Sequence, residues 1–91
     1  MQVAFYATLR DVVGAKRVEL DLAEDPTVLG LLKKVEKRYP GMGELIWDVD
    51  GRLRDYVKVF VDGRESRHLQ GLATPIGPDA EVDIFPPSAG G

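Results

Sequence analysis

Apolar and polar positions alternate at the start of the chain. In QVAFYATL, Val3, Phe5, Ala7 and Leu9 fall on one side, and Ala4, Tyr6 and Thr8 on the other. The pattern predicts a strand across this stretch, with Tyr6 pointing away from the core. RDVVGAK then reads as a turn, Gly14 being free to take positive φ. RVELDL alternates again, with Val18, Leu20 and Leu22 inward and Glu19 and Asp21 outward, so the two segments predict an opening hairpin. The period changes in DPTVLGLLKKVEKRYPG. Val28, Leu31, Leu32, Val35 and Tyr39 recur at the spacing of one helix face. Thr27 is a suitable N-cap, and Pro40 and Gly41 stop the helix. Gly30 sits inside this helix at a cost of about 1 kcal/mol relative to Ala, which points to close packing against the sheet.

GMGELIWDVDGRLRD has weaker periodicity and reads as a connection. YVKVFVDG predicts a third strand, with Val57, Val59 and Val61 inward and Tyr56, Lys58 and Phe60 outward. The Asp-Gly pairs at Asp50–Gly51 and Asp62–Gly63 read as two turns. RESRHLQGLATPIGPDA is turn-rich, with room for one short strand. EVDIF is the last strand: Val82 and Ile84 face inward, and Glu81, Asp83 and Phe85 face outward. Pro86 lacks an N–H and ends the pairing. Hairpin, helix, strand, loop and strand make an α+β layout with one main helix on a mixed four- or five-stranded sheet. The first and last strands are apolar enough to be central and parallel, with the hairpin on one flank and the third strand on the other. That is the β-grasp arrangement. The sequence divides into a β-grasp domain over 1–85 and a C-terminal tail over 86–91.

Composition narrows the functions. Ninety-one residues form one domain, and 44% hydrophobic with 30% charged residues is a globular balance. There is no cysteine, so sulfur chemistry would have to use sulfur brought by something else. A net charge of −3 argues against direct nucleic-acid binding, which needs a basic face. MQVAFYATLR has neither a basic leader region nor a cleavage site, and the expected location is cytoplasmic. His68, the single histidine, reads as a loop residue without a second ligand, and Trp47 as a packing residue. Thr8, Ser66 and Ser88 have no base arranged near them in sequence.

The candidate chemistry lies in the closing FPPSAGG. Pro86 and Pro87 favour an extended segment of fixed direction, leaving Ser88, Ala89, Gly90 and Gly91 as the freely moving part. Six residues from Pro86 to Gly91 reach about 20 Å, enough to enter a partner's active site while the domain docks outside. A carboxylate reacts once an oxygen becomes a leaving group, as in a mixed anhydride with AMP. Gly91 puts no side chain beside the reacting carbon, and Gly90 lets the backbone bend through a narrow channel. On this reading Gly91 carries the reactive carboxylate, ATP is used by the activating partner, and no cofactor is bound. The chain has no active site of its own. Tyr6, Phe85 and either Tyr56 or Phe60 form an outward aromatic cluster expected to be substantially exposed and to dock a partner. Glu81 and Asp83, on the same face beside the tail root, would steer a basic partner surface to it.

The opening VAFYATLRDVVG and the closing GLATPIGPDAEVDIFPPSAGG, on a β-grasp pattern, resemble the MoaD/ThiS sulfur carriers, relatives of ubiquitin. The resemblance spans the whole chain, and FPPSAGG is most similar to the molybdopterin-synthase small subunit. It implies that Gly91 is adenylated by a MoeB-like enzyme, thiocarboxylated from a sulfur donor, and inserted into a MoaE-like large subunit that builds the molybdopterin dithiolene. Gly90 and Gly91 match the family's reactive end; Phe85, Pro86 and Pro87 match its root. The chain departs from the pattern in the longer GMGELIWDVDGRLRD and in GPDAEV, where DGDEV is more usual. Three other readings stay open: a ubiquitin-like modifier joined through Gly91 to lysines of target proteins, a sulfur carrier for tRNA thiolation, and a plain interaction module.

Overall fold

The computed structural model describes residues 1–86. Eight elements follow one another: β1 (Gln2–Phe5), α1 (Ala7–Val13), β2 (Arg17–Glu19), α2 (Val28–Arg38), α3 (Met42–Ile46), β3 (Lys58–Val61), β4 (Arg64–Glu65) and β5 (Glu81–Phe85). Two 3-10 turns, Ser66–His68 and Gly71–Ala73, lie between β4 and β5. The five strands form one mixed sheet in the order β2-β1-β5-β3-β4. β1 and β5 are parallel, with Val3 opposite Val82 and Phe5 opposite Ile84. β3 runs antiparallel to β5, and β2 antiparallel to β1. This is the β-grasp order expected from the sequence, and the uncertain strand count resolves to five.

One face of the sheet is buried. Val3, Phe5, Val59, Val82 and Ile84 pack under Val28, Leu31, Leu32 and Val35 of α2 in a single cluster. The helix starts as its sequence dictates: Thr27 Oγ1 accepts from the Gly30 N–H at 3.1 Å, satisfying one of the free donors of the first turn. Lys37 and Arg38 lie in its last turn. Tyr39 caps the end and meets the edge of Phe5 at 6.3 Å between ring centroids.

Two sequence expectations are corrected. The first strand does not run to Leu9. It ends at Phe5, and Ala7–Val13 is a helix inside the connection of the opening pair. Ala7 is therefore exposed rather than inward, while Leu9 is buried as expected, but from a helix. Leu9 satisfies both periods, since Leu9, Val12 and Val13 also share a helical face, and the helix period prevails. Gly14 closes α1 at φ 82, its N–H reaching the Arg10 carbonyl at 2.8 Å. The second correction concerns Gly30. A Cβ there would run into the backbone carbonyl of Asp25 and lie 2.7 Å from the Asp25 Cβ. The close approach is to the segment entering the helix, not to the sheet.

The weakly periodic 41–55 segment contains α3, whose Met42 and Ile46 are fully buried. Asp62 and Gly63 link β3 and β4 as a two-residue turn with φ of 51° and 83°, the left-handed pair that suits a tight hairpin. Arg67, from the turn-rich region, donates to the carbonyls of Val57 (2.7 Å) and Arg54 (2.8 Å), tying that region to the approach of β3. Pro87 to Gly91, including the expected mobile segment Ser88–Gly91, lie outside the described residues.

Gly30→Ala tests the Asp25 contact. Removing a helical glycine should gain about 1 kcal/mol, whereas forcing a methyl against fixed backbone costs about 1–3 kcal/mol. The substitution should therefore lower stability in urea unfolding; an increase would show that no such contact exists.

Candidate functional site

The outer sheet face, away from α2, carries the sequence-predicted side chains. Strand alternation places Tyr6 just after β1, Asp83 and Phe85 on β5, and Lys58 and Phe60 on β3. Tyr6 and Phe85 stack at 4.3 Å between centroids with the planes 11° apart. Phe60 meets Phe85 edge-on at 5.5 Å and 80°. Such aromatic pairs are each worth about 0.5–1.5 kcal/mol beyond their area burial. The Tyr6 hydroxyl donates to Asp83 Oδ1 at 2.8 Å. One group of side chains thus links three neighbouring strands at the end where the chain leaves the sheet.

Tyr6, Phe60 and Phe85 shield one another. They are half-buried rather than substantially exposed, because the stack consumes the ring faces that would otherwise meet water. Tyr56 remains 64% exposed. Beside the stack runs an open groove of about 730 Å³ lined by Tyr6, Thr8, Tyr56, Lys58, Phe60, Phe85 and Pro86. Lys58 is exposed and lies directly opposite Phe85 in the β3–β5 register. It has no carboxylate partner among the described residues.

The two acidic residues separate. Asp83 lies in the aromatic cluster and is engaged by Tyr6. Glu81 is at the opposite end of β5, paired with Gln2, four residues or about 13 Å from Phe85 at strand rise. It borders a smaller, polar cleft of about 370 Å³ with Arg17 and Glu19. Glu81 is therefore not beside the tail root, and Asp83 is not a free charge there. Sequence reasoning grouped them because both point outward from one strand, and it missed the Tyr6–Asp83 bond because the partners are 77 positions apart.

His68 is exposed in the first 3-10 turn. Trp47 is partly buried against the core, its indole N–H donating to Glu36 Oε1 at 3.3 Å. Thr8 is exposed at the groove, and Ser66 is buried at the start of the first 3-10 turn and does not line the groove. Among the described residues no group of three or more His, Cys, Asp or Glu could hold a metal, and no helix is long and apolar enough to cross a membrane.

The Tyr6 phenol is pushed above its ordinary pKa, first by its hydrogen bond to Asp83, then by partial burial and by the negative charge of Asp83; Arg17 and Arg10 oppose the shift. The fold thus favours the protonated phenol. This contribution to stability is fully present below the ordinary tyrosine pKa of about 10 and is lost as pH rises through the raised folded-state value. In tyrosinate absorbance of the native chain, the Tyr6 step should come above the ordinary tyrosine value, and Asp83→Ala should lower it. A Tyr6 step that Asp83→Ala leaves unmoved would contradict the Tyr6–Asp83 bond.

A five-stranded mixed sheet grasping a helix, with its outer aromatic face at the root of the C-terminal segment, defines a ubiquitin-like β-grasp protein. The ThiS family profile matches residues 3–91. Small archaeal modifier protein 3 of Haloferax volcanii is 40% identical over 92 residues, covering 100% of this chain and 98% of that protein. The sulfur carrier protein CysO of Mycobacterium tuberculosis is 32% identical over 71 residues, 76% of each chain. Among solved structures, small archaeal modifier protein 1 of Haloferax volcanii superposes with a TM-score of 0.84 at 27% identity, covering 99% of this chain and 97% of that one. The chain belongs to the ThiS family of ubiquitin-like sulfur carriers and small modifiers. Likeness to a molybdopterin converting factor subunit of Pyrococcus furiosus, with a TM-score of 0.75 at 24% identity over 96% of this chain and 95% of that one, shows the fold alone.

Proposed function

We propose that this chain is a small protein modifier. Its Gly91 carboxylate is activated by a separate ATP-dependent enzyme of the MoeB-like kind and transferred to lysine amines of target proteins. The observation that most supports this over a dedicated molybdopterin role is the 40% identity, along the full chain, to a protein named as a modifier. The carboxylate oxygen attacks the α-phosphorus of ATP and pyrophosphate leaves, giving an acyl-adenylate. A neutral lysine amine attacks the acyl carbon, AMP departs with the bridging oxygen, and the amine loses a proton as the isopeptide forms. The carrier's part is to dock through the aromatic groove and deliver the carboxylate through the segment 86–91, with Gly90 and Gly91 at the reacting end. Use of ATP by the activating partner is consistent with a cytoplasmic process.

A second reading is favoured by the family profile and by the CysO relatives. A sulfur donor at the hydrosulfide level attacks the same acyl-adenylate, AMP leaves, and Gly91 becomes a thiocarboxylate. The small subunit of molybdopterin synthase, with a MoaE-like partner, and a carrier for tRNA thiolation are narrower forms of this reading. Both readings need the same activated carboxyl and differ in the nucleophile.

Mass spectrometry of the chain purified from its native cells, with digests of the total protein, decides between them. Branched tryptic peptides carrying residues 68–91 of this chain on a lysine support the modifier, since no Lys or Arg follows Arg67; a terminal oxygen replaced by sulfur supports the carrier; neither product would overturn both. Deleting Gly91 shortens the reach by about 3.5 Å and should abolish either product. Phe85→Glu, at the groove, should weaken binding to the activating enzyme by on the order of 2 kcal/mol, as loss of an interface anchor does. Unchanged affinity in a titration would remove the groove from the docking surface.

A further inference from the structure

β1 and β5 lie side by side only as far as Phe5 and Ile84. One residue further on, the pairing would set Tyr6 against Phe85. Instead the first chain turns out of the sheet: Ala7 adopts φ 50, and α1 begins. Phe85, the last strand residue before Pro86, therefore has a strand neighbour on one flank only, Lys58 of β3. Its other flank has lost the backbone ladder where the segment leading to Gly91 departs. Side chains occupy that gap. The Tyr6 ring lies flat on the Phe85 ring, and the Tyr6 hydroxyl is tied to Asp83, two residues back on the same strand. Phe60 abuts Phe85 from the β3 side.

We infer that Tyr6 and Asp83 are positioning residues. Together they hold the Phe85 ring where backbone pairing stops, and so set the direction in which the chain leaves the sheet towards Gly91. The inference rests on the reading that the Gly91 carboxylate is the reacting group. Direction matters because the carboxylate is six residues from the root, counted from Pro86 to Gly91. A shift of the Phe85 ring moves the point from which the segment must reach a partner's active site, and a misplacement of about 1 Å at the reacting atoms can cost on the order of a hundredfold in rate. The hydroxyl of Tyr6 is used up on Asp83 and the ring face on Phe85. Neither residue needs to touch the activated carboxyl; both act through Phe85.

Four forms of the full chain test this: the native sequence, Tyr6→Phe, Asp83→Ala and Asp83→Asn. The assay is ATP–pyrophosphate exchange with a MoeB-like adenylating enzyme, varying the carrier concentration. Tyr6→Phe keeps the ring and removes the tether; Asp83→Ala removes the acceptor. Both should lower kcat by about tenfold, a loss that saturating carrier does not restore. Asp83→Asn keeps an oxygen acceptor and should restore kcat. The Phe85 ring-proton shifts caused by stacking on Tyr6 should persist in Asp83→Asn and move towards unstacked values in Asp83→Ala. If the variants raise KM and leave kcat unchanged, the pair is a docking contact and the inference fails. It fails equally if Tm falls with kcat intact, or if the Phe85 shifts stay native in Asp83→Ala. No exchange with the native chain, or full exchange after deletion of Gly91, overturns the activation reading itself and the inference with it.

Discussion

The rest of the structure depends on the parallel pairing of β1 with β5. It brings residues 2–5 against residues 81–84, the two ends of the sequence, in the middle of the sheet. Closing so long a loop has an entropic cost that grows only slowly with length, but it must be met before the pairing contributes. The contacts that meet it lie between the pair and α2, where the sheet's valines, Phe5 and Ile84 pack under the helix. Pairs of this kind fold through non-local contacts. Every element between the two strands serves as flank or cover: β2 extends one side, β3 and β4 the other, and the helices lie over the apolar face.

That pairing also determines where the functional end can be. A parallel partner carries both strands in the same direction, so the start of the chain and its final strand reach the same rim of the sheet together. There the first chain must turn away and the last must continue. The positive φ of Ala7 and the proline at position 86 mark the two departures. The aromatic stack sits between them. The apolar groove is not an independent patch; it is what remains on the outer face when one neighbour of a central strand stops one residue early.

Much of this was legible in the sequence because the buried sets are short-range and periodic. Val82 and Ile84 alternate, the α2 positions repeat at helical spacing, and Asp62-Gly63 requires a left-handed turn; each is decided by neighbours within a few residues. The outward direction of Tyr6, Asp83 and Phe85 followed from the same alternation. What the pattern did not contain was competition between periods and contacts across the chain. Leu9 fits a strand and a helix equally, and only the packing of α1 decides. The partners of Asp83 and Arg67 depend on which segments the fold brings together, as does the separation of Glu81 from the tail root. Gly30 was visible as an anomaly in a helix, but its neighbour, the Asp25 carbonyl, was not.

Under the proposed function, stability and chemistry are divided along the chain. Among the described residues the core uses apolar packing with no ionisable group in it, and the reacting atoms would be those of Gly91. The acyl-adenylate is the same whether an amine or a sulfur nucleophile follows, so the carrier's carboxyl cannot select between them. Selection must come from which partner holds the docked complex when the nucleophile arrives. The features this chain offers to that choice are on the outer face: an apolar groove, the Lys58 cation, without a carboxylate partner among the described residues, and an Asp83 charge hydrogen-bonded by Tyr6. A partner that fills the groove and presents a carboxylate to Lys58 gains an ion pair, while the Asp83 carboxylate keeps its charge beside the Tyr6 phenol and orients that partner. The charges a partner meets at the root are therefore of both signs, Lys58 and Asp83, and the net charge of −3 does not describe them. Discrimination between partners follows from that local arrangement of charge rather than from the charge of the whole molecule.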